Sequence, residues 1–371
     1  MLCAGFSWGS LDSKVLSKFL NEEVWISREE SKKALDKALS KVTTILQCME
    51  ERDPRFGSQP HKSGSYIERL QVSDPDEFDF MVPLEEFPKL VPVKVPFQLQ
   101  LQHPSPPVDK SYVAVCLHLF PYTSPWQKND VSELVQEGRI IIPKKVMSTF
   151  KKNVIQALET MKQRGSVDVH QLRQGTPAVT FTMTHNRNEI DVDLVPFIKD
   201  PFVTWSLPWP RFLRAWPSTD KIEKVKKTGV DLVAKHPLYW RYSFSRAERV
   251  LLEGIDSDGG CRRASLQILK KIRIDFWERK FGKVLVSYHL KTVLFWACEA
   301  YPQSCDWTDL STSFKRLVDI LIYSLSHMHL PHYFLGSDVN LFRKDCWPKL
   351  YNLCYEVKKF RRNPEWYLEE D

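Results

Sequence analysis

Two short stretches in which acidic and apolar residues alternate constrain this chain more than anything else in it: Glu77-Phe78-Asp79-Phe80 and Glu189-Ile190-Asp191-Val192-Asp193-Leu194-Val195. A period of two is the signature of a β-strand, and residues two apart share a face, so Glu77 and Asp79 set two carboxylates about 7 Å apart on one side of a sheet. The second stretch does the same with Asp191 and Asp193. A strand that buries Ile190, Val192 and Leu194 carries acids on its other face at a high cost unless that face meets water or a cation. Taken alone, the second stretch also fits an exposed strand with solvated acids. Twelve residues upstream of Glu77 lies Gly64-Ser65, a turn in which the missing side chain lets backbone N–H groups and a hydroxyl approach phosphate closely. Paired carboxylates beside such a turn specify magnesium-assisted phosphoryl chemistry.

The rest of the chain supplies a scaffold of matching size. Its 371 residues are 43% hydrophobic and 27% charged, with 12 Trp, 12 Tyr and 21 Phe, which excludes disordered and fibrous classes and fits packed lobes. Apolar residues recur at three- and four-residue spacing over 27–52, predicting a long helix that opens on a Ser27/Glu30 capping box and stops at Asp53-Pro54. Strand patterns at 77–83, 112–120, 178–184 and 189–197 interleave with a helix at 144–162, so the first half reads as α/β. The proline-dense tract 83–107 reads as an irregular crossing segment. A connector rich in Trp and Pro, 205–217, then leads into helical periodicity at 245–253, 262–281, 284–301, 310–327 and 344–361. The expected division is a core lobe, 1–210, and a helical lobe, 211–371.

Net charge is +7 and uneven: residues 221–291 hold 17 Lys+Arg against 8 Asp+Glu. Such a basic stretch suits a polyanion partner, although solvated helix faces give the same pattern. Eight scattered cysteines without a Cys-x-x-Cys pair read as free thiols, and Cys298, Cys305 and His289 match no zinc spacing, so no structural zinc is expected. The longest apolar run, 284–296, is broken by His289 and Lys291, and the first 20 residues show no secretory pattern. The chain is expected to have no membrane partner and to be cytoplasmic.

Gly64-Ser65, eleven residues, then Glu77-Phe78-Asp79-Phe80-Met81 resembles the nucleotidyltransferase signature of the polymerase-β superfold, and in particular the cyclic GMP-AMP synthase-like receptors of the Mab-twenty-one family. Three further strings are similar to that family in the same order: Thr176-Pro177-Ala178-Val179-Thr180 with Val192-Asp193-Leu194, then Trp240-Arg241-Tyr242-Ser243-Phe244-Ser245 with Glu248, then Ser287-Tyr288-His289-Leu290-Lys291-Thr292 with Trp296-Ala297-Cys298. The resemblance covers about residues 27–360. It implies an α+β fold: a bilobal polymerase-β-like nucleotidyltransferase core with a long spine helix and a C-terminal helical lobe.

The resemblance also implies roles. Glu77, Asp79 and Asp193, the last chosen over Asp191, would be catalytic and hold two Mg²⁺ or Mn²⁺ ions. Gly64 and Ser65 would hold the donor triphosphate, Lys270 and Ser287 would touch its phosphates, Arg241 and Tyr288 would meet a base, and Lys291 would border the nucleotide pocket. Substrates would be ATP and GTP or other NTPs, joined into a cyclic dinucleotide second messenger in innate immune defence. Between Glu248 and Cys261 the chain has no His and no Cys, unlike the zinc-bearing DNA sensor of the family. Double-stranded RNA is therefore expected as activator in preference to DNA, read by shape on Lys32, Lys33, Lys37, Lys41, Arg249, Arg262 and Arg263, with a ligand-induced dimer as the assembly it would template. Two other readings stay open: a catalytically silent Mab-type binding or developmental protein, and a transferase that makes linear oligonucleotides or tails RNA.

Overall fold

The computed structural model describes residues 8–24, 28–57, 59–74, 76–85, 91–93, 109–117, 124–135, 138–163, 170–175, 177–200, 207–212 and 214–368. The expected cap Ser27, the motif residue Thr176, Trp205 and most of the 83–107 tract lie outside the described residues. Helix α1 (Ser13–Glu23) starts where the Asp12 carboxylate accepts the Lys14 and Val15 N–H groups. Helix α2 (Arg28–Glu50) is the long amphipathic helix expected, and it buries Ala34, Leu35, Ala38, Val42, Ile45, Leu46 and Met49. These pack against α4 (Pro143–Gln163) and one face of the sheet, in a core with Phe78, Phe80, Val192 and Leu194.

After α2 the chain forms β1 (His61–Ser63), the single turn α3 (Gly64–Ile67) and β2 (Glu77–Pro83). Strands β3 (Val91–Val93), β4 (Tyr112–Cys116), β5 (Ser132–Val135) and β6 (Gly138–Ile141) precede α4, and β7 (His170–Gln174), β8 (Val179–His185) and β9 (Asn188–Asp200) follow it. Strand β9 organises the sheet. Its residues 191–197 run parallel to β2, while its other edge pairs antiparallel with β8 and then with β10 (Val230–Val233). Next to β10 lies β11 (Trp240–Ser243), which continues the sheet through β4, β6 and β5.

The core lobe thus runs beyond residue 210, the expected division, because β10 and β11 return to the central sheet. All four residues of β10 are buried, so it lacks the alternation that announces a half-exposed strand. Helix α5 (Thr219–Thr228) leads into it, capped by the Ser218 hydroxyl. The helical lobe comprises α6 (Ser245–Leu252), α7 (Arg262–Ile272), α8 (Ser287–Ala300), α9 (Leu310–Ser326) and α10 (Trp347–Arg362), with a hairpin of β12 (Pro331–His332) and β13 (Gly336–Asn340). Helix α7 runs on through a π-helical turn, Arg273–Glu278. Helix α1 joins this lobe: Leu16 and Phe19 share its core with Leu266, Leu317 and Phe360. Among the described residues no helix is long and apolar enough to cross a membrane.

Candidate active site

The parallel register of β2 and β9 sets Glu77 opposite Asp191 and Asp79 opposite Asp193. Three of these four acids converge: carboxylate oxygens of Glu77, Asp79 and Asp193 all lie within 4.8 Å of one another. The fourth is engaged elsewhere. Asp191 accepts from Arg173 at 2.5 Å and from the Thr182 hydroxyl at 2.8 Å, while the Thr180 hydroxyl donates to Asp193 at 2.5 Å and steadies it in the cluster. Thr180 has no place in the motif-based list of site residues, although its cross-strand register with Asp193 follows from the β8–β9 pairing.

Crowding three carboxylates costs energy, and the cost shows in the protonation of Glu77 and Asp79. Burial, with the charges of Asp193 and Glu68, pushes Asp79 up to about 6, against a partial counter-pull from Lys291 and Lys235. Glu77 is raised as well, by burial and by Asp79 and Asp193. Burial and Arg241 lower the Lys235 ammonium, and Asp193 and Asp79 raise it, which places this lysine in the field of the triad. No motif signalled it. Glu77 and Asp79 hold their protons more tightly than isolated carboxyls do, and a site of this kind fits a multivalent cation, which would replace those protons.

Gly64 is fixed by this cluster. Its φ is +84°, and a Cβ there would overlap Asp79 Oδ2, so any side chain would both strain the turn and displace the carboxylate. Ser65 is exposed beside it. The next residues are strapped to the helical lobe. Arg263 donates to the Glu68 carbonyl, Gln267 to the Gln71 carbonyl at 3.3 Å and Lys270 to the Leu70 carbonyl, while Lys291 pairs at 2.7 Å with both Glu68 and Glu248.

These bonds locate the remaining expected residues. Lys270 is buried, and burial lowers its ammonium to about 8. Lys291, whose pKa Glu248 and Glu68 raise despite its burial, is the centre of an internal ion triad. Tyr288 is half-buried, its hydroxyl 3.0 Å from His332 Nε2 and its ring 5.8 Å from Lys291 Nζ. Ser287 begins α8, and Arg241 on β11 lies 6.0 Å from the Tyr112 ring. Of the two acids that hold Lys291, Glu248 belongs to the family-like string that follows Trp240 but has no role assigned by it, and Glu68 lies in no pattern that would mark it.

The basic ridge is more divided than its sequence suggests. Lys32, Lys33 and Lys37 are exposed on α2, but Lys33 pairs with Glu29 and Glu30, and Lys37 donates to the Thr184 carbonyl at 2.7 Å. Lys41 is half-buried on the same helix. Arg262 does not face out: it is 2% exposed, forks onto Asp258 at 2.7 and 2.9 Å and lies over the Trp307 ring. Arg263 spends its guanidinium on the Glu68 and Leu252 carbonyls. Arg249 is exposed at the mouth of a cavity beside Gly64. Cys48, Cys261, Cys298, Cys305, Cys346 and Cys354 are free thiols, with Cys298 buried and Cys305 exposed.

With this geometry in place, comparison with known proteins is decisive for the family. The Mab-21 protein nucleotidyltransferase domain matches residues 66–254, and the Mab-21 protein HhH/H2TH-like domain matches 261–359. The chain belongs to the Mab-21 nucleotidyltransferase family. It is 34% identical to protein mab-21-like 3 of Danio rerio over 68% of this chain and 64% of that protein, so the match spans less than two thirds of that relative. Identity to protein mab-21-like 3 of Xenopus laevis is 28% over 89% of each chain. Similarity also extends to cyclic GMP-AMP synthase of Mus musculus, at 26% identity over 87% of this chain and 64% of the synthase. The two Mab-21 domains correspond to the bilobal, polymerase-β-like α+β architecture, with the acid triad on the sheet of the first.

Proposed function

We propose that this Mab-21 protein is a metal-dependent nucleotidyltransferase that joins two nucleoside triphosphates into a cyclic dinucleotide, and that it acts in the cytosol as an innate immune sensor of double-stranded RNA. The observation that carries the enzymatic reading is the convergence of Glu77, Asp79 and Asp193 beside a glycine that only glycine can replace. Two divalent ions held by these carboxylates would supply charge neutralisation at the transferring phosphoryl group and lower the pKa of the attacking hydroxyl.

The chain's own groups do the positioning. The Gly64-Ser65 turn offers N–H groups and a hydroxyl to a triphosphate, and Thr180 orients Asp193 toward the ribose hydroxyl that attacks the α-phosphate. Arg241 and Tyr288 present a cation and a π face to the bases. Lys270 and Ser287 contact phosphate once Lys270 leaves the Leu70 carbonyl that it now holds. That exchange favours a ligand-gated enzyme. Similarity to cyclic GMP-AMP synthase supports a cyclic product, and the exposed α2 lysines Lys32, Lys33 and Lys37, with Lys41 beside them, support a duplex activator read through its backbone.

The test is an assay with all four labelled triphosphates and Mg²⁺ or Mn²⁺, without ligand and with double-stranded RNA or DNA, beside Glu77→Ala/Asp79→Ala. A phosphatase-resistant product that needs RNA and the carboxylates is expected. A linear product would point to the oligonucleotide-forming reading. Absence of product under every ligand, together with absence of metal-dependent ATP binding, would leave a silent binding protein, the reading favoured by the lysines already tied to Leu70, Glu68 and Glu248.

A further inference from the structure

Four of the seven large apolar side chains that stay exposed among the described residues lie on two neighbouring helices of the second lobe, so they are not scattered singly. Tyr351 is 71% exposed, Tyr355 65% and Trp347 39%, all on α10, and Tyr323 on α9 is 45% exposed. At 3.6 residues per turn, Trp347, Tyr351, Tyr355, Lys358 and Arg362 fall within one sector of α10 about 80° wide, with Cys354 at its edge. Cys354 Sγ lies 3.4 Å from the Ser326 hydroxyl and Arg361 pairs with Asp319 at 3.2 Å, so α9 runs antiparallel alongside and brings Tyr323 level with Lys358. The aromatic sector therefore flanks the seam between the two helices. The outermost ridge of α10 is polar, formed by Pro348, Asn352 and Lys359, opposite the buried Leu350, Leu353, Val357 and Phe360.

The flank carries charge of one sign. Lys358 and Arg362 continue the aromatic sector, and Lys359 adjoins it on the ridge. The one acid of α10, Glu356, points to another side and pairs with Lys280 at 2.6 Å, while Asp319 on α9 is taken by Arg361. Cations in the last turn of a helix suit its dipole whatever they face, but that does not account for three rings left in water. Their spacing does point to a ligand. Rings four residues apart on a helix are separated by about 6 Å along its axis, close to twice the rise of about 3.4 Å between stacked bases, so one planar base fits between each consecutive pair.

We infer that this flank of α10 is a docking lane for single-stranded nucleic acid: bases stack on and between Trp347, Tyr351 and Tyr355, and the phosphates run on to Lys358, Lys359 and Arg362. Stacking of this kind reads neither the sugar nor the base edges, so RNA and DNA strands bind alike. A duplex keeps its bases stacked on one another and offers none to these rings, which separates the lane from the α2 lysines. A flat bilayer would meet the polar ridge before Trp347 and Tyr351, and a second copy of the face would set cation against cation. The lane does not depend on the catalytic reading, since neither the acid triad nor the Gly64 turn takes part in it.

Fluorescence anisotropy of labelled 15-mers of uridine and of deoxythymidine, titrated with the full chain in EDTA, tests this. Both strands should bind with similar, salt-sensitive affinity. Tyr351→Ala/Tyr355→Ala should weaken both about tenfold per ring removed, and Tyr351→Phe/Tyr355→Phe should bind as the wild type does, because the ring and not the hydroxyl makes the contact. Lys37→Glu on α2 should leave the strands bound. Both tyrosines are exposed, and the melting temperature of each variant checks that the fold is intact. The inference is overturned if neither strand binds, if the double alanine variant binds as the wild type does, or if the phenylalanine variant loses as much as the alanine one. It is equally overturned if polyglutamate or phosphatidylserine vesicles displace the strand as well as unlabelled oligonucleotide does, since the face would then take an acidic protein or a lipid surface.

Discussion

Replacing Asp79 by asparagine should stabilise the metal-free protein, and by an amount that grows with pH. In the folded chain the Asp79 carboxyl rises from an ordinary 3.8 to about 6. Each unit of pKa is about 1.4 kcal/mol, so full ionisation of this buried carboxyl, beside Asp193 and Glu68, costs the folded state at most about 3 kcal/mol. Water at the mouth of the cleft screens part of this, leaving about 1–3 kcal/mol. The sign follows from proton counting. Below pH 4 Asp79 is protonated in both states and contributes nothing; between about 4 and 6 the folded state binds the extra proton, so stability falls as pH rises; above about 6 the loss is complete. Asp79→Asn has no such proton to lose. Urea unfolding of both proteins in EDTA from pH 4 to 7.5 should show the variant gaining on the wild type across that window. Saturating Mg²⁺ or Mn²⁺ should reverse the order, since a ligand at a hundred times its Kd adds about 2.7 kcal/mol to the form that binds it. A stability difference that is flat with pH would mean that Asp79 is neither buried nor crowded as described, and the argument for a cation there would fail with it.

Other perturbations separate neighbouring residues. Asp193→Asn should abolish metal-dependent nucleotide transfer, while Asp191→Asn, which releases only Arg173 and Thr182, should leave most of it, as read by product formation under the same ligand. Gly64→Ala should lower stability by about 1–2 kcal/mol from its left-handed φ alone and weaken metal binding further by displacing Asp79, measured by denaturation and by Mn²⁺ titration. Lys291→Met strands Glu68 and Glu248 as buried unpaired charges and should cost about 3–5 kcal/mol in denaturant unfolding, relieved in part by adding Glu248→Gln.

The triad was legible because its chemistry and its periodicity coincide: Glu77 and Asp79 must share a face in any strand, and alternation alone located β2 and β9 to within a few residues. Choosing Asp193 over Asp191 needed either family resemblance or coordinates, since the two are equivalent by period. Both accept from a β8 threonine, and what distinguishes them is Arg173 of β7, which pairs with Asp191, a tertiary fact. The spine helix and the five helices of the second lobe followed from three- and four-residue spacing. Strands β10 and β11 did not: β10 is buried on both faces and has no alternation to read, and β11 is only four residues long. Surface assignments were the least legible. Arg262 and Arg263 look in the sequence like a basic doublet facing solvent, yet one is buried on Asp258 and the other is spent on backbone carbonyls, and nothing in a local pattern reports such a partner.

The grip of α7 on the segment after Gly64 bears on which substitutions this Mab-21 protein can tolerate. Arg263, Gln267 and Lys270 hold the carbonyls of residues 68–71 rather than their side chains, so they follow the path of the chain and are blind to what it displays. The half-buried Gln71 is therefore free to drift while the turn stays in place, whereas Arg69, though exposed, is restricted by its left-handed φ of 57°. The three gripping residues have no such freedom: a change at one of them moves the Gly64 turn without altering a single residue within it.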